Sequence, residues 1–226
     1  MAAQDELFLD IETLPTIDDR MKKEIAEAIT PPGSMSKPET IAKWEAEEKP
    51  KLIENAIAKT ALDGTYGRVC CITYAFGEAP VQGIIDRDEK VVLKKFFDDC
   101  RAKAKEKFTV SRITVVGHAV NDFDLRFIWQ RAVINEVSAP SILPFNASKY
   151  SEYIRDTMTM WNPAPDKRIS LHKLCLALGV ESPKDKNGMD GSDIAYLWLK
   201  REYNKILGYC MDDTAAMREC YYKMTI

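Results

Sequence analysis

Leu7-Phe8-Leu9-Asp10-Ile11 is apolar enough to read as a short buried strand, ended by Thr13-Leu14-Pro15, yet it carries a carboxylate at Asp10 and another at Glu12. Side chains alternate across a strand, so both acids leave the same face of the sheet. They stand at the strand's C-terminal end, where open α/β sheets commonly place their active sites. Two acids there repel each other and lose hydration unless something cationic lies between them. A divalent metal is the simplest such partner. A pair of solvated side chains at a strand end is the other reading that the pattern allows.

From residue 16 to about 67 the composition shifts to Lys, Glu and Ala, with Pro31-Pro32-Gly33 and Pro38 as breakers. This predicts a helical insertion of two helices, over 17–29 and 38–61. It is either a packing appendage or a wall for a bound strand, with Lys37, Lys43, Lys49 and Lys51 on phosphates. Strands follow at 69–76 and 81–86, separated by the turn-sized Gly77-Glu78-Ala79-Pro80, and so predict a hairpin. A helix over 89–107 carries Val92, Phe96, Phe97 and Cys100 as its apolar stripe. Then come a strand at 113–117, a helix at 123–134, a weaker strand at 153–158, and helices at 170–178, 192–202 and 204–222. Five strands with helices between and after them predict an α/β chain: one domain over 1–226, with a mixed five-stranded sheet flanked by helices.

The last helix sharpens the reading of Asp10 and Glu12. Ile206, Tyr209, Asp213, Ala216, Met217 and Cys220 recur at three- and four-residue steps and share a face that must pack on the sheet. Asp213 is therefore a carboxylate on a burying stripe, and such acids are rare unless paired or bound to metal. Neighbouring Asp212 points elsewhere, toward solvent. Asp124 opens the helix after the 113–117 strand, where an N-cap or first-turn acid is also at home. Asp122 competes for that cap, and local rules leave the two undecided.

A net charge of −3 and a pI of about 5.6 argue against a protein that coats nucleic acid with its whole surface. They are compatible with an enzyme gripping a short strand, since clustered acids themselves lower the pI. No apolar run approaches the roughly 20 residues that span a membrane. The acidic start, Met1 to Glu6, leads straight into a strand and is not a secretory signal, so a cytoplasmic location is expected. Six cysteines without a C-x-x-C pair, and only two histidines, argue against a zinc site and for reduced, buried thiols. His172 reads as a helix-surface residue and His118 as structural.

Together these residues resemble the DEDD superfamily of 3′→5′ exonucleases, in its tyrosine branch. The first motif is Phe8-Leu9-Asp10-Ile11-Glu12-Thr13-Leu14-Pro15. The second runs Gly117-His118-Ala119-Val120-Asn121-Asp122-Phe123-Asp124 and assigns its acid to Asp124. The third is Tyr209-Cys210-Met211-Asp212-Asp213, with Gly208 where the other branch has His. Ser170-Leu171-His172-Lys173-Leu174 through Asp190-Gly191-Ser192 to Tyr209 also resembles free-standing exonucleases related to the proofreading domain of family B DNA polymerases. The resemblance implies an RNase H-like fold and two Mg²⁺ or Mn²⁺ ions on Asp10, Glu12, Asp124 and Asp213. Tyr209 would orient the attacking water. Thr13, Leu14 and Phe123 would contact the terminal nucleotide. Many relatives carry an Asn four or five residues before the second-motif acid, where this chain has Val120 and Ala119; either Asn121 takes over that role or the contact is lost.

The resulting expectation is an exonuclease on single-stranded or frayed DNA 3′ ends, serving replication, repair or turnover. Any proofreading would need a polymerase as partner chain. An exoribonuclease is the alternative within enzymes, and an inactive nucleic-acid-binding scaffold the alternative outside them.

Overall fold

The computed structural model describes residues 6–106, 112–148 and 151–225; the stretch 1–5 read above as non-secretory and Lys107, the expected end of the 89–107 helix, lie outside them. The first strand, β1 (Glu6–Leu14), runs three residues past the expected Ile11, so that Asp10 and Glu12 lie within it. Its alternation sorts the residues as the pleat requires. Leu7, Leu9 and Ile11 enter the main core, while Phe8 joins a second apolar cluster with Met217 and Tyr221.

Two compact units divide the chain: Thr13–Arg68, and the remainder. The Thr13–Arg68 unit holds α1 (Asp19–Ala28), α2 (Pro38–Glu47) and α3 (Lys49–Lys59), with α3 packed on both of the others. Asp18 caps α1 by accepting from the N–H groups of Arg20 and Met21. The single helix expected over 38–61 is two helices. Pro50 has no N–H to give and its ring clashes with the preceding turn, so the chain breaks at Glu48 and restarts. The ends of this unit are tied together: Thr16 N–H donates to Thr60 Oγ1 (2.9 Å), and Thr13 Oγ1 to the Ala61 carbonyl (2.6 Å).

The other unit completes the sheet with β2 (Arg68–Phe76), β3 (Gln82–Ile85), β4 (Thr114–Gly117) and β5 (Ile154–Asp156), in the order β3-β2-β1-β4-β5. β2 and β3 form the expected antiparallel hairpin, and β1, β4 and β5 pair in parallel. Helices α4 (Glu89–Glu106) and α5 (Asp124–Ile134) cover one face, burying Val92, Leu93, Phe96, Phe97, Leu125 and Ile128 against Leu7 and Leu9. Each such side chain contributes about 1.5–3 kcal/mol.

Short helices that lack a periodic apolar stripe escaped the sequence: α6 (Thr157–Trp161), directly after β5, and, beyond α7 (Leu171–Leu178), α8 (Pro183–Asn187). The helix expected over 192–202 is shorter, a 3₁₀ turn at Gly191–Asp193 leading into α9 (Ile194–Leu199). The last helix, α10 (Tyr203–Met224), lies on the sheet face opposite α4 and α5. Its stripe serves two partners: Met217 and Tyr221 meet Phe8, whereas Ala216 and Cys220 pack on α7 beside Leu174 and Cys175. All six cysteines are buried and none forms a disulfide.

Candidate active site

The site follows from the register between α10 and β1. Four residues of helix rise about 6 Å and two residues of strand about 6.6 Å, so every fourth residue of α10 meets every second residue of β1. At one end Tyr221 Oη donates to Glu6 Oε1 (2.5 Å) and Met217 packs on Phe8. One step further, Asp213 lies close enough to Asp10 for their charges to interact, and Cys210 Sγ donates to Asp10 Oδ2 (3.3 Å). The next step brings Tyr209 to Asp213 and Glu12. Thr73 on β2 pins the helix here, bonding Thr214 Oγ1 (2.6 Å) and the Cys210 carbonyl (3.0 Å).

The fourth acid arrives through a tight turn. A Cβ at Gly117 would come within 2.5 Å of Val120 Cβ and 3.0 Å of the Leu9 carbonyl, so only glycine lets the chain pass this close to β1. The passage sets the start of α5 against the sheet, where Asp124 Oδ1 accepts from the Ile11 N–H (3.1 Å). Its carboxylate thus sits at the β1 residue between Asp10 and Glu12. Asp122 is exposed and paired with Arg168 (3.1 Å); the helix N-cap is Phe123, so neither acid caps it, and Asp124 is the buried one of the two that local rules left open.

Of the expected site residues, the structure brings Asp10, Glu12, Asp124, Tyr209 and Asp213 together. Asn121 is engaged with Asp122 through its amide (3.1 Å), and Phe123 packs on Phe127 with ring centroids 5.5 Å apart. Thr13 is held by Ala61, and Leu14 is buried. Asp212, expected in solvent, is half-buried and paired with Lys186 (2.7 Å). His118 is a strut between Thr157 Oγ1 and the Ile169 carbonyl, both at 2.9 Å, and burial lowers its pKa. Cys210 was missed as part of the site. The available signal was its place on the stripe, four residues after Ile206 and three before Asp213.

Among the described residues no Lys or Arg forms an ion pair with the four acids, and their protonation equilibria register that. Burial pushes Asp124 up to about 8, with the Asp156 charge adding to it, and Asp213 up to about 7, with Asp212 adding. Asp10 and Glu12 are held well above the usual carboxylate range, first by burial and then by the charges of their neighbours. Burial, Asp213 and Glu12 likewise raise the Tyr209 phenol. Asp10, Glu12 and Cys210 each offer a donor atom, all within 4.8 Å of one another. Burial and Cys71 raise the Cys210 thiol's pKa, so it acts as a hydrogen-bond donor to Asp10, and the atoms that could hold a metal are carboxylate oxygens. Oxygen donors of this number and charge suit a hard divalent cation such as Mg²⁺ or Mn²⁺.

Residues 66–225 match the family described as "Predicted 3'-5' exonuclease related to the exonuclease domain of PolB". The chain belongs to this family. The match includes Asp124, Tyr209 and Asp213 and begins after Asp10 and Glu12. No curated protein sequence matches the exonuclease. In fold it is similar to the family B DNA polymerase from the hyperthermophilic archaeon Pyrobaculum calidifontis, with a TM-score of 0.60 at 15% identity over 97% of this chain. The exonuclease spans 24% of that polymerase chain, and its mixed five-stranded sheet is RNase H-like. No helix among the described residues is long and apolar enough to cross a membrane.

Proposed function

We propose that the chain is a metal-dependent 3′→5′ exodeoxyribonuclease that removes nucleotides from single-stranded or frayed DNA 3′ ends. The observation that carries this reading is the convergence of Asp10, Glu12, Asp124 and Asp213, buried or partly buried, without a protein cation. When bound, two Mg²⁺ or Mn²⁺ ions supply an activated water and charge stabilisation at the leaving 3′-oxygen. Asp10 and Glu12 hold them from β1, Asp213 from α10 and Asp124 from α5. The Tyr209 hydroxyl, bonded to Asp213, orients the attacking water; with its pKa raised it does not serve as a base at neutral pH. Kinship to a polymerase exonuclease domain favours DNA over RNA, and a role beside a polymerase in replication or repair belongs to the same proposal.

Matched DNA and RNA oligonucleotides with a 5′ label test it. Stepwise shortening of the DNA from its 3′ end with Mg²⁺ or Mn²⁺, stopped by EDTA, is the expected result. Faster shortening of the RNA makes the chain an exoribonuclease. No cleavage of either strand overturns the nuclease reading in favour of a binding scaffold.

A further inference from the structure

Tyr209 and Asp213 also face a second space. A cavity of about 380 Å³ opens where the starts of α7 and α8 approach α10, lined by His172, Lys173, Ser182 and Lys184 together with Tyr209 and Asp213. That volume lies within the range of small-ligand pockets. Among the described residues Lys173 makes no ion pair, so its ammonium is available to a ligand. Lys184 is steadied by Asp190 (3.1 Å), whose charge it matches. His172, expected as a helix-surface residue, lines this cavity; Ser182 Oγ holds its Nδ1 (2.8 Å) and Asp185 Oδ2 lies 3.9 Å from the same atom, leaving Nε2 without a protein partner among the described residues.

We propose that this cavity is a phosphate subsite of the exonuclease, formed by Lys173 and Lys184 with His172 and Ser182, that takes a phosphate monoester beside the cleavage site. It rests on the nuclease reading of Tyr209 and Asp213. The donors present favour such a ligand: ammonium groups, a hydroxyl and an imidazole give short, charge-assisted bonds to phosphate oxygens. Of the two acids lining the cavity, Asp190 is matched by Lys184 and Asp213 is a metal ligand on the proposed reading, while Asp185, outside the lining, faces His172 Nδ1 and leaves its Nε2 to the ligand. A phosphate monoester reaches this position from two sources. One is the 5′-phosphate of the released nucleotide; the other is a 3′-phosphate ending the substrate strand.

Titration calorimetry with thymidine 5′-monophosphate, in Mg²⁺, tests the site independently of cleavage. The Lys173→Gln/Lys184→Gln variant is compared with wild type and with Lys90→Gln, which removes a charge from the exposed start of α4. Binding at least about tenfold weaker in the double variant, and unchanged in Lys90→Gln, is expected for loss of charge-assisted contacts. Lys173→Gln alone, which leaves the Lys184–Asp190 pair intact, should show part of that loss if the double variant is unstable. A second arm compares KM for strands ending in a 3′-hydroxyl or a 3′-phosphate. A rise confined to 3′-phosphate strands identifies the strand end as the ligand, and weakened monophosphate binding alone identifies the released nucleotide. If neither ligand distinguishes wild type from the lysine variants, the subsite is refuted. Continued cleavage of the 3′-hydroxyl strand would then leave the nuclease reading standing.

Discussion

In the α/β unit one buried acid and a cluster of four buried or partly buried acids are handled in opposite ways. Glu89, 9% exposed at the start of α4, accepts from Arg131 at 2.8, 2.9 and 3.2 Å, from Asn135 at 2.7 Å and from the Val69 N–H at 2.6 Å. At the C-terminal half of β1, Asp10, Glu12, Asp124 and Asp213 crowd together, and among the described residues their hydrogen-bond donors are a thiol, a phenol and the backbone N–H groups of Ile11 and Asp124. Glu89 is a structural charge whose compensation is built in. On the proposed function the cluster's charge is neutralised by bound metal ions, and perturbed acids of this kind are what a working site calls for.

Removing an acid from the cluster should separate activity from stability most sharply. Asp10→Ala or Asp213→Ala is expected to abolish cleavage while the metal-free melting temperature holds or rises, because repulsion is relieved. Near-wild-type cleavage by either variant would take that residue out of the ligand set. The converse experiment is Arg131→Met, which strands Glu89 without its cation. A loss of about 3–5 kcal/mol in urea unfolding is expected, with the rate per folded molecule retained. A neutral result would mean that the Glu89 pair is no different in kind from the cluster.

Tyr209→Phe keeps the ring and deletes the hydroxyl. A rate loss of about 10–1000-fold is expected, the range for one positioned polar group. An unchanged rate would leave Tyr209 a packing residue. A smaller effect concerns pH in the metal-free protein. Asp124 and Asp213 have folded pKa values of about 8 and 7, above their unfolded values. Their contribution is most favourable below the unfolded carboxylate pKa and is lost as pH rises through the folded values. The metal-free melting temperature should therefore fall between pH 5 and about 8, and Mg²⁺ or Mn²⁺ should restore it most at the alkaline end. Arg131→Met should leave this slope in place, whereas Asp124→Asn should flatten it.

Elements with a strong local signal were legible in the sequence: β1 by its apolar run, β2 and β3 by their turn, α4 and α10 by their stripes. The same stripe put Asp213 and Tyr209 on the burying face. Short elements whose contacts are all tertiary were not legible. α6 and α8 have five residues each, too few to show a helical period, and Pro50 split a helix that composition joined. Asp124 could be separated from Asp122 in the sequence only through the family motif. In the structure the choice turns on a bond to Ile11, 113 residues away, which no local pattern encodes. His172 and Lys184 come together across a loop for the same reason.

On the proposed function the four carboxylates Asp10, Glu12, Asp124 and Asp213 are a metal site. Anomalous diffraction from a crystal soaked in Mn²⁺ tests it most directly. Two peaks are expected among Asp10, Glu12, Asp124 and Asp213, both lost in Asp10→Ala, and none at Glu89. A protein that cleaves DNA while its Mn²⁺ lies elsewhere, or binds none, would contradict it.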